Sequence, residues 1–532
     1  MNSTKIDEIH DPARNASEFA NKKEAGSGHE ERGVFPLDEH NVKLLNNVHP
    51  KEWTDPEPQD MYNLVVIGAG AGGLVSAAGA AGVGARTALV ESHLLGGDCL
   101  NVGCVPSKAL LKSAKAASAV RKAAQYGVQI TGDVSVDFGF VMERMRRLRA
   151  QISPVDSAHR FSGELGVDVF IGRARFSGRN SVEVNGKTLN FKKAVVATGG
   201  TAAVPNIPGL LDVPYLTNDS VFNLTELPER LGVIGAGPIG MELAQAFRQF
   251  GSEVTVFTID EKILPREDPD AAGIIHDSLQ KDGVRFVFNT VFDRIEESTE
   301  GGLLIILDGD SRYEFDALLV AAGRKPSVVG LGLEQAGVEF DERRGVLVNE
   351  KLQSSNPDVY AVGDVASKYQ FTHMADFMAR MVIKNALFFG RDKVTDLLVP
   401  WCTYTDPEIA HVGYYENELK DKKIAFSTFT REFSDVDRTI VDGEGKGFVK
   451  IHVARGKGTI LGATIVGSHA GDMISEISVA MRGKMGLGQL ASVIHPYPTA
   501  AEAIRQCGDA YNREKLTPLV KRLFEKILEW RR

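Results

Sequence analysis

A chain of 532 residues is too long for one domain, and its length favours three or four. The net charge of −9 argues against sequence-independent nucleic-acid binding, which needs clustered lysine and arginine. No run of about 18 apolar residues occurs, so no integral membrane segment is expected, and four cysteines are typical of a cytoplasmic protein rather than a secreted disulfide framework.

The first 60 residues are polar and without sustained hydrophobic periodicity, which predicts a mostly flexible N-terminal arm. Residues 34–37 and Trp53 are apolar enough to hold part of this arm on the body. The first residues have neither the apolar stretch of a signal peptide nor the composition of a transit peptide. Residues 62–67 form an apolar run that is typical of a buried parallel strand.

A repeated motif gives the clearest indication of domain organisation. The segment LVVIGAGAGG at residues 64–73 returns as LGVIGAGPIG at residues 231–240. In each copy an apolar strand leads into a G-x-G-x-x-G turn, an alanine-rich helix and a second strand, which is the order of a βαβ dinucleotide-binding unit. The predicted helices and second strands cover 74–81, 86–91, 241–250 and 253–257.

The glycines of the first turn have separate physical roles. Gly68 permits the tight turn, Gly70 lets a pyrophosphate approach the backbone, and Gly73 lets helix and strand pack closely. Glu91 ends the second strand, where a carboxylate accepts hydrogen bonds from an unphosphorylated ribose, as in the adenosine part of FAD. The counterparts of the three glycines in the second turn are Gly235, Gly237 and Gly240.

The second copy has Thr258 where the first has its carboxylate. An NAD ribose would lack its usual partner there, and a 2′-phosphate would meet less repulsion. Lys262 and Arg266 follow closely and favour NADPH, whereas the nearby residues 260–261 are acidic and favour NADH. We expect a preference for NADPH.

Two cysteines five residues apart follow the first turn. A regular helix cannot join Cys99 to Cys104 in a disulfide, so the residues between them must form an irregular turn. The helix predicted over 107–116, together with Lys108, favours a thiolate at its N-terminus. The pattern indicates a redox-active pair; a static disulfide or two inert thiols are the alternatives.

Beyond residue 400 the pattern changes to alternating strands, which predicts an α+β third domain. The expected strands and helices cover 407–413, 447–453, 460–466, 471–485 and 498–511. Residues 514–530 place their leucines and isoleucine on one helical face, and the other face is mostly basic. We expect this helix to pack on its own domain; contact with a partner or a membrane surface is the alternative.

The motifs together resemble the flavin-dependent pyridine nucleotide-disulfide oxidoreductases, a family that includes dihydrolipoyl dehydrogenase, glutathione reductase and mercuric reductase. The resemblance covers residues 61–512 and is strongest to mercuric reductase-like proteins. Besides the two glycine-rich turns, the matching segments are GGDCLNVGCVPSK at 96–108, ATG at 197–199, AGR at 322–324 and YAVGD at 360–364.

The resemblance implies an α/β fold with two Rossmann-like domains, one for FAD and one for NAD(P), and a C-terminal α+β dimerisation domain. It also implies FAD, NADPH or NADH, and a homodimer. The expected segments are the arm at 1–60, the FAD domain at 61–211 and 326–399, the NAD(P) domain at 212–325, the dimerisation domain at 400–512 and the terminal helix at 513–532.

The resemblance assigns roles by position. Cys104 is the flavin-proximal thiol, Cys99 is the exposed thiol that meets substrate, and Lys108 pairs with Glu242 beside the flavin. Gly323 contacts the nicotinamide nucleotide. The further FAD-binding residues that it implies are Gly97, Asp98, Ala174, Thr198, Gly199, Asp364 and Thr372.

The chain departs from the family near its C-terminal end. Disulfide-reducing members have a His-Pro-Thr-x-x-Glu segment whose histidine serves the interchange thiol, whereas this chain has Tyr497 at that position and Glu502 at the glutamate. A phenol cannot replace imidazole near neutral pH without a large pKa shift. His495 lies two residues away and is either a substitute or a structural histidine.

Tyrosine at this position resembles mercuric reductases, but the cysteine pair that those enzymes carry near the C-terminus is missing. Cys402 and Cys507 are expected to be small buried apolar residues rather than helpers in metal binding. No dedicated metal site is predicted. We expect an NAD(P)H oxidoreductase that reduces a soft metal ion or another small acceptor through Cys99 and Cys104. Dihydrolipoyl dehydrogenase or another disulfide reductase is one alternative, and a flavin-binding redox sensor with little turnover is the other.

Overall fold

A computed structural model describes residues 33–299 and 301–532. The chain divides into two compact units. The first contains residues 33–261 and 284–397, and the second contains residues 262–283 and 398–532. The part of the predicted arm before residue 33 lies outside the described residues.

The helices and strands are numbered in chain order. The helices are α1 Glu39–Val48, α2 Ala71–Gly82, α3 Gly97–Asn101, α4 Cys104–Lys122, α5 Phe138–Ile152, α6 Pro238–Phe250, α7 Pro269–Asp282, α8 Thr372–Leu387, α9 Glu416–Asp421, α10 Asp437–Val441, α11 Ala470–Arg482, α12 Leu487–Leu490, α13 Glu502–Glu514 and α14 Pro518–Trp530.

The strands are β1 Tyr62–Ile67, β2 Thr87–Glu91, β3 Asp168–Ile171, β4 Arg175–Gly178, β5 Ser181–Val184, β6 Lys187–Val196, β7 Gly200–Ala202, β8 Arg230–Ile234, β9 Glu253–Phe257, β10 Arg285–Val287, β11 Phe292–Glu297, β12 Leu303–Leu307, β13 Arg312–Phe315, β14 Ala317–Val320, β15 Arg324–Pro326, β16 Phe340–Asp341, β17 Gly345–Val346, β18 Val359–Ala361, β19 Pro400–Thr403, β20 Glu408–Gly413, β21 Phe426–Glu432, β22 Phe448–Ala454 and β23 Ile460–Gly467.

The first unit is built on a seven-stranded sheet with the order β3-β2-β1-β6-β5-β4, in which β18 also pairs with β6. Strands β3, β2, β1, β6 and β18 are parallel, and β4 and β5 are antiparallel. Strand β1 is an almost continuous apolar run because helices cover both faces of a parallel sheet. The strand-turn-helix-strand order predicted for the first motif is confirmed.

The second motif forms a separate parallel sheet with the order β10-β9-β8-β14. An antiparallel three-stranded sheet, β11-β12-β13, packs its apolar side into the same core. The carboxyl ends of β1 and β8 both lead into glycine-rich turns, where open α/β sheets bind their ligands.

Residues 33–60 are part of the first unit and not a flexible arm, which corrects the prediction for this stretch. Asp38 accepts a hydrogen bond from the amide of Asn41 at the start of α1, and Leu44 and Val48 of that helix are fully buried. The Trp53 indole donates to the carbonyl oxygen of Val169 at 3.2 Å, so the expected contact with the body is present. A short amphipathic helix becomes stable here through tertiary packing.

The second unit contains a five-stranded antiparallel sheet with the order β19-β20-β23-β22-β21. Helices α11 and α13 pack on it around a continuous apolar core. The predicted α+β architecture after residue 400 is therefore confirmed. The segment that contains α7 also belongs to this unit, although it precedes the second unit's sheet by more than a hundred residues in sequence.

Contrary to the expectation, helix α14 does not pack on its own domain. None of its residues is buried, and all except the half-buried Val520 are exposed. Within residues 33–299 and 301–532, no helix combines the length and apolar character needed to span a bilayer.

Candidate active site

The two cysteines lie on either side of a break between helices. Cys99 is in α3, and Cys104 is the first residue of α4. Gly103 makes the break possible, since a Cβ atom there would lie 2.7 Å from the carbonyl oxygen of Asp98. The irregular turn expected between the cysteines is confirmed, and it places Cys104 at the N-terminal end of a 19-residue helix.

The two thiols are electrostatically different. A hydrogen bond from Cys99 is the largest of the effects that lower the pKa of Cys104, to about 6, and it outweighs burial, which acts in the opposite direction. Thr372 Oγ1 lies 3.3 Å from Cys104 Sγ and lowers this pKa further, as does the charge of Lys108. The same hydrogen bond raises the pKa of Cys99. The pair therefore holds one thiolate, on Cys104, and one thiol, on Cys99.

The burial of the two cysteines differs. Cys104 is exposed and Cys99 is half-buried. The thiolate on Cys104 agrees with its implied role as the electron-rich thiol nearer the flavin. The order in which the two sulfurs meet flavin and substrate remains a prediction.

Lys108 and Glu242 form the expected ion pair. Lys108 Nζ donates to Glu242 Oε2 at 2.9 Å. Lys108 lies one helical turn after Cys104 on α4, which puts both side chains on the same face of the helix. Glu242 is buried on α6. The ion pair places the Lys108 ammonium and the Glu242 carboxylate close to the dithiol, where the charge of Lys108 acts on Cys104.

The first glycine-rich turn has the shape of a phosphate cradle. Gly68 has φ +99, and a Cβ atom there would lie 2.4 Å from the carbonyl oxygen of Ala197. A Cβ atom on Gly73 would lie 1.8 Å from the carbonyl oxygen of Gly68. Gly70 precedes α2 as its N-cap, and a Cβ atom there would have only Gly97 within 4 Å. The backbone amides at this helix end are open to an anionic ligand.

Glu91 is held next to this turn. Its carboxylate accepts from the amide of Ala69 at 2.6 Å and from the amide of His93 at 2.8 Å. Burial raises the pKa of Glu91 above its usual range, and these amide hydrogen bonds oppose the rise. The carboxylate is therefore fixed at the end of β2, where a ribose would be recognised. The glycine cradle and this acid together fit the adenosine and pyrophosphate of FAD.

Arg324 links three segments around the same site. Its guanidinium donates to Asp364 at 3.2 Å, to the carbonyl oxygen of Gly200 at 2.6 Å and to Asp98. Asp219 lies in the same electrostatic field, and burial raises its pKa to about 6 with a further contribution from Asp98. Asp98 and Asp364 were expected here. In the sequence Arg324 is only part of the AGR motif, and this contact is not predicted. No sequence signal indicates Asp219.

The other residues expected to hold FAD lie in the first unit. Thr198 donates its hydroxyl to the carbonyl oxygen of Ser327 at 2.7 Å, and Gly199 has φ +66. Ala174 is buried in the core between β3 and β4. Thr372 begins α8, whose N-terminal amides favour negative charge. The structure thus brings Thr372 to the dithiol, and the contacts of these residues with FAD remain predictions.

The second glycine-rich turn repeats the first. Gly235 has φ +112, and a Cβ atom on Gly240 would lie 2.2 Å from the carbonyl oxygen of Gly235. A Cβ atom on Gly237, which precedes α6, would have no atom within 4 Å. Gly323 has φ +128 beside this sheet. The geometry fits a second dinucleotide.

Thr258 follows β9 and is buried, and its hydroxyl accepts from the amide of Asp260 at 3.2 Å. The threonine therefore shapes the turn in which a ribose-binding carboxylate would otherwise stand. Lys262 and Arg266 belong to the second unit. Their contribution to binding a 2′-phosphate remains a prediction.

The segment that departs from the family lies in the second unit. His495 is 6% exposed at its side chain, and its ring nitrogens face Glu476 Oε1 at 2.9 Å and the carbonyl oxygen of Val493 at 3.0 Å. Both neighbours are hydrogen-bond acceptors within the same unit, and they hold the buried ring from two sides. This arrangement favours the structural interpretation of His495.

Tyr497 is 71% exposed, and its hydroxyl donates to Asp437 at 2.9 Å. This hydrogen bond raises the pKa of Tyr497. Glu502 begins α13 and pairs with Arg505 at 3.1 Å. The histidine-glutamate pair of the disulfide-reducing members is therefore not reproduced by Tyr497 and Glu502.

Two further features bear on the thiols. Asp156 ends the turn Ser153–Asp156, and its charge contributes to raising the pKa of Cys99, an influence that the sequence did not indicate. Cys507 is buried, and burial raises its pKa to about 12, while Cys402 is half-buried against the same core. Among the described residues, no group of three or more His, Cys, Asp or Glu side chains is arranged to hold a metal ion.

Residues 62–379 match the model of the family described as pyridine nucleotide-disulphide oxidoreductase, and residues 399–507 match its dimerisation domain. The dimerisation domain supports a homodimer. Mercuric reductase from Staphylococcus aureus is 34% identical over 455 residues, which cover 85% of this chain and 83% of that protein. Dihydrolipoyl dehydrogenase from Bacillus subtilis is 34% identical over 460 residues, which cover 83% and 96%.

Among solved structures, a Cu(II) complex of the HOCl-induced flavoprotein disulfide reductase RclA from Escherichia coli has a TM-score of 0.76 at 27% identity. It covers 85% of this chain and 100% of that one. LpdA from Mycobacterium tuberculosis has a TM-score of 0.77 at 25% identity and covers 84% and 99%. These structures share the fold of both units.

Proposed function

Because this chain belongs to the pyridine nucleotide-disulphide oxidoreductase family, whose members use FAD and NAD(P)H, we propose that it reduces a thiophilic metal ion at Cys99 and Cys104. The observation that supports this choice is that the segment at 495–502 presents no side chain suited to proton transfer near neutral pH. In that segment the buried ring of His495 is held between Glu476 and the carbonyl oxygen of Val493, and Tyr497 has a raised pKa.

The two acceptor classes differ in their need for a proton. Exchange of a dithiol with a substrate disulfide releases a thiolate, and a general acid accelerates that release. A phenol with a raised pKa does not exchange a proton readily near neutral pH. Reduction of a metal ion needs electrons and no proton, as in NAD(P)H + Hg²⁺ → NAD(P)⁺ + Hg⁰ + H⁺. The second reaction therefore suits the side chains present.

The dithiol itself supplies the binding chemistry. Sulfur ligands select soft metal ions, and the thiolate of Cys104 is ready to coordinate at neutral pH. Coordination by Cys99 releases its proton to solvent, so that two Sγ atoms hold the ion. FAD, when bound, relays two electrons from the nicotinamide to this site. The ion pair of Lys108 and Glu242 and the N-terminal amides of α8 supply fixed charges and dipoles beside this site.

In the family, the segment corresponding to residues 495–502 reaches the dithiol of a second subunit. We place this segment in the same role here, with Tyr497 as the exposed side chain that it presents. A cytoplasmic location follows from the need for NAD(P)H and for a dithiol that is kept reducible. Thr258 in place of a carboxylate supports NADPH as the preferred donor.

Two rival functions make different predictions. A dihydrolipoyl dehydrogenase would turn over lipoamide rapidly and would lose that activity in a His495→Ala variant. The chain is about as similar to such enzymes as to mercuric reductases, which makes this rival worth testing directly. A flavin-binding redox sensor would retain flavin and thiols but show negligible steady-state turnover with any acceptor.

An acceptor comparison on the purified holoenzyme tests the proposal. NADPH oxidation is measured with Hg(II) and Cu(II), each as a thiol complex, and with lipoamide, glutathione disulfide and a quinone. We expect turnover with the metal ions to exceed that with the disulfides by at least about tenfold, a difference of about 1.4 kcal/mol in activation free energy. Faster turnover of either disulfide than of both metal ions would overturn the proposal.

A further inference from the structure

Helix α14 has a wide apolar face that no described residue covers. Leu519, Leu523, Phe524, Ile527, Leu528 and Trp530 lie on it and are 42–85% exposed. Thr517 caps the helix by accepting from the amide of Val520, and Pro518 occupies the first turn, so the helix has its own start signal. It is a formed amphipathic helix and not a frayed end of the domain.

The charges around this face are ordered. At 100° per residue, Lys521 and Lys526 stand at the two borders between the apolar and polar faces, and Glu525 and Glu529 lie at the centre of the polar face. Lysines at such borders bury their methylene chains along an apolar phase and keep their ammonium groups in the headgroup layer. Trp530 has the amphipathic ring that favours a membrane interface.

The region also differs in charge from the rest of the molecule. Residues 515–532 contain six lysine or arginine and two glutamate side chains, whereas the whole chain has a net charge of −9. A basic, amphipathic helix with leucine, phenylalanine and tryptophan on one side is the pattern of a segment that lies in the plane of an anionic membrane surface. We infer that α14 docks the enzyme on an anionic lipid bilayer.

Other occupants fit the face less well. A two-stranded coiled coil buries a narrow seam, and the apolar arc of α14 spans about half of the circumference. The 32 residues that precede the described chain contain Ile6, Ile9 and Phe19 as their only large apolar residues besides Met1, which is too few to cover six large side chains. The lipid surface accounts for the width of the face as well as for its basic borders.

Binding to vesicles tests the inference on the full-length holoenzyme. Co-sedimentation is measured with phosphatidylcholine vesicles and with phosphatidylcholine vesicles containing phosphatidylglycerol. We expect binding to the anionic vesicles alone, weakened by salt, with a blue shift in Trp530 fluorescence that is missing in Trp530→Ser. A Lys521→Gln/Lys526→Gln variant should bind about 25-fold more weakly, since each basic residue near an anionic surface contributes a factor of about five.

A matched control separates this effect from net charge. Lys446 and Lys457 are exposed residues of the second unit outside α14, and a Lys446→Gln/Lys457→Gln variant has the same change in charge. This control should bind like the unmodified enzyme, and Leu523→Asp should abolish binding while flavin content and NADPH oxidation remain unchanged. These readouts do not depend on which acceptor the enzyme reduces.

Three results would overturn the inference. The first is an absence of vesicle binding, and the second is equal binding by a variant that lacks residues 516–532. The third is that the unmodified enzyme has a molecular mass above that of a homodimer and does not bind vesicles, while the Leu523→Asp variant has a lower mass. That result would assign the apolar face to contact with a second copy of the chain. If the truncated chain fails to fold, vesicle binding by the Leu523→Asp and Lys521→Gln/Lys526→Gln variants decides the question instead.

Discussion

The hydrogen bond between the two thiols is the interaction on which the chemistry of Cys104 depends most, and it can be tested with two variants that differ by one donor. Cys99→Ser keeps an O–H group that donates to Cys104, and Cys99→Ala removes it. Both prevent the disulfide and leave Cys104 as the single thiol of the pair, so both are compared in the same oxidation state of the holoenzyme.

The size of the effect follows from the contacts of Cys104. A hydrogen bond to a charged group contributes about 1.5–3 kcal/mol, which at 1.36 kcal/mol per pKa unit is about 1–2 units. The pKa of Cys104 is lowered to about 6, mainly by Cys99, so its thiolate is lost as the pH falls through that value. In Cys99→Ala the loss should begin about 1–2 pH units higher than in Cys99→Ser.

The assay is the absorbance that a thiolate next to oxidised flavin produces at long wavelength, followed as a function of pH. Thr372→Val serves as a second probe, because Thr372 makes a smaller contribution in the same direction. It should raise the pKa by less than Cys99→Ala does. Equal titration midpoints in Cys99→Ala and Cys99→Ser would refute the reasoning.

Further predictions concern the cofactor sites and the departure from the family. Gly73→Ala should lose FAD and lower the melting temperature, as measured by flavin content and calorimetry, because its Cβ atom would lie 1.8 Å from a backbone oxygen; full flavin occupancy would contradict this. Glu242→Gln should slow flavin reduction roughly 100-fold in stopped-flow experiments, the size expected for one well-placed charge, and an unchanged rate would exclude the role given to the ion pair. Thr258→Asp should shift the ratio of kcat/KM for NADPH to that for NADH at least about fivefold towards NADH, since two like charges 4 Å apart repel by about 1 kcal/mol even in water; a constant ratio would remove Thr258 from the specificity site. Tyr497→His should raise turnover with lipoamide, with Tyr497→Phe as its control, and equal activity in the two variants would mean that this position does not limit disulfide reduction.

The sequence could predict those parts of the site that depend on local backbone geometry. The two glycine-rich turns, the break between Cys99 and Cys104 and the thiolate at a helix N-terminus all follow from residues close together in the chain. The ion pair of Lys108 and Glu242 joins residues 134 positions apart and was available only through resemblance to a family.

Other features depend on packing that no local pattern encodes. Asp219 and Arg324 interact because a turn and strand β15, far apart in the chain, lie close together, and burial raises the pKa of Asp219. One partner of His495 is Glu476, on helix α11, so the structural character of His495 could not be predicted from its own segment alone. Helix α1 was mistaken for flexible chain because two buried side chains, Leu44 and Val48, supply most of its apolar contact.

The central claim is that electrons from NAD(P)H reach a metal ion through Cys99 and Cys104. Its most direct test is the amount of elemental mercury released per NADPH oxidised under anaerobic conditions, with Hg(II) supplied as its glutathione complex. We predict one Hg⁰ for each NADPH in the unmodified enzyme, and none above background in Cys99→Ala and Cys104→Ala. Release of mercury at the same rate by either variant, or oxidation of NADPH without any Hg⁰, would contradict the account.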